Sequence, residues 1–213
     1  MMKQVWSILL VAALLGSVFA GCKEKQEGIE VATEEASTEV KSLTGKKVVM
    51  IIAPQNFRDE ELFEPKQLLA EKGAEVKVAS VSLEIAGGML GAEIQPDMLI
   101  SDIEPDQWDA IILIGGTGAS RYWEDTSVHS MLNEAVKQNK IVGAICIAPV
   151  TLANAGILSG KRATVSISER QRLADKGADC TLKDVQRDGN IITASGPPAA
   201  AEFGETIARA LAE

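Results

Sequence analysis

Between Lys46 and Glu213, short apolar runs alternate with stretches of helical length. That alternation constrains the fold more than any single residue does. Lys47 to Ala53, Ala110 to Ile114 and Ile141 to Ile145 are almost continuously apolar, the pattern of strands buried on both faces of a parallel sheet. Glu75 to Val81 alternates and predicts a further strand, and Ala163 to Val165 a short one. Helices are predicted over Asp59 to Lys72, Thr126 to Asn139, the residues after Cys146 as far as Asn154, Glu169 to Lys176, and Ala199 to Leu211. Residues 83–95, with Gly87, Gly88 and Gly91, predict a hairpin excursion. A second hairpin pairs Val185 to Arg187 with Ile191 to Ala194 across Asp188-Gly189. The expected fold is α/β, a doubly wound and mostly parallel sheet between two helical layers, in one domain over 46–213. Ligands of such sheets bind at the carboxyl ends of the strands, which here lie just after Ala53, Ile114 and Ile145.

The residues ahead of this domain do not carry its pattern. Lys3 followed by the apolar run Val5 to Phe19 predicts a signal peptide over 1–21; as a helix the run is too short for a bilayer core of ~30 Å. Phe19-Ala20-Gly21-Cys22 resembles the bacterial lipobox, with Phe19 where Leu is usual, and this implies lipidation of Cys22. Residues 22–45 are then an acidic tether with too few apolar side chains to offset ordering. The expected location is the cell envelope, as a membrane-anchored lipoprotein on the periplasmic face or cell surface.

Composition excludes several chemistries. The net charge of −9 argues against a reader of nucleic-acid backbone. A single histidine, His129, cannot supply a site that needs two His ligands, and Cys22, Cys146 and Cys180 contain no CxxC pair. Neither a metal nor a cofactor is expected.

Each strand end carries something of chemical interest. Cys146 follows one strand directly and precedes a helix, with Pro149 suited to the first helical turn. Such an elbow exposes a side chain above the helix N-terminus, where free amides lower a thiol pKa; a buried structural cysteine is the alternative. The Gly115-Gly116-Thr117-Gly118 turn presents amides to a ligand or oxyanion, or is simply a tight turn. Tyr122 and Trp123 are either a pocket wall or core. At the first end, Asp59, Glu60, Glu61 and Glu64 complement the helix dipole, or one of them faces Cys146.

Taken together, these pieces resemble the ThiJ/PfpI family, the superfamily of the parkinsonism-associated deglycase. The resemblance is carried by Glu61-Leu62-Phe63-Glu64-Pro65, Gly115-Gly116, Ala144-Ile145-Cys146-Ile147-Ala148-Pro149, Asp188-Gly189-Asn190-Ile191-Ile192-Thr193 and Gly196-Pro197. It implies a flavodoxin-like three-layer sandwich, class I glutamine amidotransferase-like. The family's reactive cysteine falls on Cys146, its helix-start glutamate on Glu61, and its oxyanion amides on Gly116 and Ile147, with Thr117 and Tyr122 as further candidates for the pocket. A carboxylate repels a thiolate, so Glu61 is expected to keep its proton and donate a hydrogen bond to the sulfur, which would leave the thiol with a pKa below the ordinary value. The chain departs from the family at Ile147 and Ser166, where members with a Cys-His pair carry histidine; no His follows Cys146. A cysteine peptidase or an amidotransferase is therefore disfavoured. The implied function is a deglycase or glyoxalase-like activity on small carbonyls or glycated adducts, with a homodimer as the implied assembly. The alternative is a non-enzymatic redox-responsive or chaperone-like module.

Overall fold

The computed structural model describes residues 42–213. The signal peptide, Cys22 and the tether as far as residue 41 lie outside the described residues. The elements are β1 Lys47–Ile51, β2 Gln55–Phe57, α1 Asp59–Glu71, β3 Glu75–Ser80, β4 Ala86–Gly88, β5 Glu93–Ile94, β6 Met98–Leu99, β7 Ala110–Leu113 and α2 Thr126–Lys137. They continue with β8 Ile141–Ile145, α3 Pro149–Asn154, β9 Arg162–Ala163, α4 Arg170–Asp175, β10 Asp179–Cys180, β11 Val185–Asp188, β12 Ile191–Ala194 and α5 Ala200–Leu211.

Seven strands form the central sheet in the order β11-β12-β8-β7-β1-β3-β6. All pairs are parallel except β11 with β12. The apolar runs divide their side chains between two cores. Val48, Met50 and Ile52 pack with Leu62 and Leu69 of α1 and Phe203 and Ile207 of α5. Val49 and Ile51 pack on the other face with Val128 and Leu132 of α2 and Leu152 of α3. Each fully buried side chain of this kind contributes ~1.5–3 kcal/mol. The result is a flavodoxin-like α/β sandwich of three layers.

The structure departs from the sequence reading in three places. Leu43, assigned to the tether, is fully buried, and its amide donates to the Lys72 carbonyl at 2.8 Å, so the packed domain begins before Lys46. The 162–165 segment does not join the central sheet: β9 pairs only with β10 in a separate two-stranded ribbon. The 83–95 excursion is a hairpin, but β4 also pairs in parallel with β2, a polar segment that gave no strand signal. Asp59 holds that hairpin against α1 by accepting the amides of Leu90 and Ala92, both at 2.9 Å.

Candidate active site

The loops after β1, β7 and β8 meet above the sheet with Cys146 between them. Cys146 leaves β8 with φ at 64°, in the left-handed region. For a residue with a Cβ that conformation costs about 1–3 kcal/mol and has to be imposed by its surroundings. Here the Cys146 amide donates to the Ala194 carbonyl of β12 at 3.0 Å, and the Cys146 carbonyl accepts the Ser166 amide at 2.8 Å. The sulfur is thereby turned off the strand towards α1, and α3 starts three residues later at Pro149.

Glu61 lies in the first turn of α1 and is fully buried. Its Oε2 accepts the Gly115 amide at 3.0 Å, while the buried Oε1 has no hydrogen-bond partner. Pro65, one helical turn on, has no amide to donate to the Glu61 carbonyl. A Cβ on Gly115 would stand 2.5 Å from both Cys146 Cβ and Glu61 Oε2. Only glycine lets the two side chains close on each other there. Gly116 has φ at 90°, and a Cβ on it would meet the Asn56 carbonyl oxygen at 2.4 Å and the Arg58 nitrogen at 2.5 Å. The glycine turn is thus pressed backbone to backbone against the loop that starts α1, and the Arg58 amide donates to the Gly115 carbonyl at 3.1 Å.

Burial pushes the Glu61 carboxyl up to about 7, against weaker lowering by its hydrogen bonds with Cys146 and the Gly115 amide. Burial also pushes the Cys146 thiol up to about 11, and the charge on Glu61 adds to the rise; the amides of Gly116 and Ile147 pull it down without prevailing. The expected low thiol pKa is therefore corrected. Desolvation and a neighbouring acid outweigh two amides, and α3, six residues long, adds little dipole. The two groups titrate as a coupled pair. Between about 7 and about 11 the pair holds one proton.

The structure brings Cys146, Glu61, Gly116 and Ile147 together and sets the other candidates apart. Thr117 is exposed, and among the described residues its side chain makes no hydrogen bond to the pair. Tyr122 is core rather than pocket wall: it is fully buried, and its hydroxyl donates to the Ile52 carbonyl at 2.8 Å. The other first-turn acids face elsewhere, Asp59 to the hairpin and Glu60 to Arg58 at 2.8 Å. His129 is half-buried in α2, and its Nε2 hydrogen-bonds the Trp123 carbonyl at 2.9 Å. Position 166 does adjoin the elbow, and it bears serine. Two residues carry more than the sequence reading gave them. Gly115, the first glycine at a strand end, supplies the amide that holds Glu61. Trp123 donates its indole N–H to the Ile147 carbonyl at 3.2 Å.

Among the described residues no three His, Cys, Asp or Glu side chains are grouped to hold a metal ion. A cleft of about 410 Å³ is lined mainly by apolar side chains, Val81, Leu99, Ile100, Ile103, Val128 and Met131, with Ser101, Asp125 and Ser127 beside them, and includes neither Cys146 nor Glu61. The titratable pair, not this cleft, is where the molecule concentrates groups able to form bonds and move protons.

Residues 46–210 match the sequence profile of the DJ-1/PfpI family. An uncharacterised protein of Methanocaldococcus jannaschii is 38% identical, with 99% of this chain and 98% of that protein aligned. The deglycase PfpI of Pyrococcus furiosus is 28% identical over 70% of this chain and 90% of its own. A glutathione-independent glyoxalase of Caenorhabditis elegans is 28% identical over 78% of this chain and 89% of its own. Among solved structures, a ThiJ/PfpI domain protein from Brachyspira murdochii superposes with a TM-score of 0.76 at 29% identity, covering 80% of this chain and 97% of that one.

Proposed function

The chain belongs to the DJ-1/PfpI family, and from that premise we propose that it is an enzyme of reactive carbonyls or their adducts, a deglycase or glyoxalase-like activity. Cys146 is the nucleophile and Glu61 its proton shuttle. The observation that carries this reading is the half-buried Cys146 at a strained elbow beside the fully buried Glu61, whose carboxyl is raised to about 7 next to a thiol raised to about 11. The names of the Pyrococcus deglycase and the Caenorhabditis glyoxalase support the substrate class.

The first step follows from the pair. The sulfur attacks the aldehyde carbon of a 2-oxoaldehyde and an S–C bond forms. The thiol proton passes to the Glu61 carboxylate and the carbonyl π electrons go to oxygen. The amides of Gly116 and Ile147, which already face the sulfur, are the donors nearest the new oxyanion. Glu61 then returns the proton to that oxygen, giving a neutral hemithioacetal with no external oxidant or reductant. In a deglycase reaction the sulfur replaces the adduct's amine or thiol at the carbonyl-derived carbon: the S–C bond forms, the C–N or C–S bond breaks, and the thiol proton, carried by Glu61, leaves on the released amine or thiol.

The test is turnover of methylglyoxal and of its thiol and amine adducts by wild type and Cys146→Ser. Turnover by wild type alone supports the reading. Absence of turnover, with ready and reversible oxidation of Cys146, would replace it by the redox-responsive alternative.

We propose the envelope location from the sequence and the homodimer from the family resemblance. For the first, Phe19-Ala20-Gly21-Cys22 is the support: the mature protein should partition with membranes and be released by Cys22→Ser. Retention of an unmodified Met1 would contradict it.

A further inference from the structure

We propose that Trp123 is a positioning residue for the elbow, a clamp that aims the Ile147 amide at the Cys146 sulfur, and that His129 and Asn154 hold the clamp in place. This rests on the reading of Cys146 as the reacting group, and it assigns the lone histidine a role outside any Cys-His pair.

The hydrogen bonds form a continuous series. The carbonyl of Trp123 accepts two donors, His129 Nε2 at 2.9 Å and Asn154 Nδ2 at 2.9 Å. A carbonyl only accepts, so Nε2 of His129 carries the proton. Asn154 also donates to Glu124 Oε1 at 2.8 Å. Asn133, one turn after His129, ties α2 to the end of α3 by donating to the carbonyls of His129 and Ala155, both at 3.0 Å. The main chain at Trp123 is therefore fixed by two helices. From that fixed point the indole N–H reaches the Ile147 carbonyl at 3.2 Å. The Ile147 amide is the next along the chain from Cys146 and lies close enough to the sulfur to lower its pKa.

The far side of the indole is covered as well. The Arg172 guanidinium stands 5.0 Å from the ring centroid and is itself paired with Glu169 at 2.8 Å. Glu169 ends the short turn that begins after Ser166, whose amide holds the Cys146 carbonyl. The ring thus stands between the Ile147 carbonyl and the segment that docks on the elbow.

The elbow needs such a grip. Cys146 sits at φ 64°, and relaxation of that strain would rotate the Ile147 amide away from the sulfur. The β12 carbonyl and the Ser166 amide restrain residue 146; Trp123 and the Val150 amide, at 3.3 Å, restrain residue 147. Loss of the indole donor leaves residue 147 with the longer of its two bonds. The Ile147 amide pulls the thiol pKa down and is a donor near the oxygen that gains charge as the sulfur adds to the carbonyl, so its misalignment should slow alkylation and turnover and leave binding unaltered.

The experiment compares wild type with Trp123→Phe, His129→Leu and His129→Gln. Two readouts are taken: the rate of Cys146 alkylation by iodoacetamide, and kcat and KM for methylglyoxal. Trp123→Phe keeps an aromatic ring and removes the donor; alkylation and kcat should each fall about tenfold, the scale of one hydrogen bond to a charged group, with KM unchanged. His129→Leu should fall about threefold, because Asn154 still holds the same carbonyl. His129→Gln should recover the wild-type rate, since its amide supplies the lost donor. Thermal melts of all three separate folding from positioning.

Unchanged rates in Trp123→Phe and His129→Leu, with lowered melting temperatures, would overturn the proposal and leave Trp123 a packing residue. A loss of a hundredfold or more in His129→Leu that Gln does not recover would also overturn it, since that is the signature of an acid–base histidine. If wild type turns over no carbonyl yet the alkylation rates keep the predicted order, the clamp stands and the proposed function falls.

Discussion

Replacing Glu61 by glutamine tests the energetics of the site independently of substrate. The amide side chain keeps an oxygen to accept the Gly115 N–H, has nearly the same shape, and carries no charge. In the native protein burial raises the carboxyl from an ordinary 4.5 to about 7. The sign follows from which state holds the proton. Below about pH 4.5 both folded and unfolded chains are protonated at this position, and Glu61 costs nothing. Between about pH 4.5 and 7 the unfolded chain releases the proton while the folded chain keeps it, so stability falls as pH rises. Above about pH 7 the full penalty is present. A change from 4.5 to about 7 corresponds to about 3 kcal/mol. For a domain of this size that is roughly 6–12 °C in melting temperature. The assay is thermal unfolding of wild type and Glu61→Gln from pH 4.5 to 8, read as the difference between the two so that other titrating groups cancel. The variant should gain on wild type steadily across that range and melt higher at pH 8. The thiol does not interfere, because its proton is retained until about 11. Parallel curves, or a variant less stable at pH 8, would refute the claim that burial dominates the carboxyl.

The packing around the pair gives further tests. Gly115→Ala places a methyl 2.5 Å from both Cys146 Cβ and Glu61 Oε2, so it should cost about 1–3 kcal/mol by overpacking and part the pair; denaturant unfolding and Cys146 alkylation should both register it. Tyr122→Phe removes the bond to the Ile52 carbonyl, which still accepts the Ser80 hydroxyl at 3.0 Å, and should cost about 0.5–1.5 kcal/mol, the net worth of one hydrogen bond, with Cys146 alkylation unchanged; a changed rate would return Tyr122 to the pocket. Cys146 and Cys180 are both free, and a non-reducing peptide map should find them unbridged; a Cys146–Cys180 disulfide would contradict the arrangement of β8 and β10.

Much of this architecture is legible in the sequence because the central strands are buried on both faces. After the exposed Lys47 that opens β1, the rest of KVVMI and all of IVGAI in β8 are apolar and buried, so continuous apolarity marks them. The elbow is legible for a related reason: Cys146 stands where β8 ends and Pro149 opens a helix. What is not legible depends on tertiary contact. Gln55 to Phe57 carries no strand signal, and becomes β2 only because β4 lies beside it. The tyrosine of the Tyr122-Trp123 pair is drawn into the core by an acceptor far along the chain, the Ile52 carbonyl. The direction of the thiol shift is hidden for the same reason: helix-end amides can be seen in a sequence, whereas desolvation and the approach of Glu61 cannot. Gly115 looks like any turn glycine until the two side chains it admits are placed on either side of it.

The central claim is that Cys146 attacks with its proton passed to Glu61, and the pH dependence of methylglyoxal turnover in wild type and Glu61→Gln tests it most directly. Glu61 is a base only when ionised, so the wild-type rate should rise through about pH 7. In Glu61→Gln that rise should vanish and turnover should fall about 10²–10⁴-fold, even though removal of the neighbouring charge brings the thiol down from about 11. A variant that turns over at the wild-type rate with the same pH profile would contradict the account. So would a thiol whose titration moves upward in Glu61→Gln, since that would mean the carboxyl stabilises the thiolate as a donor rather than accepting its proton.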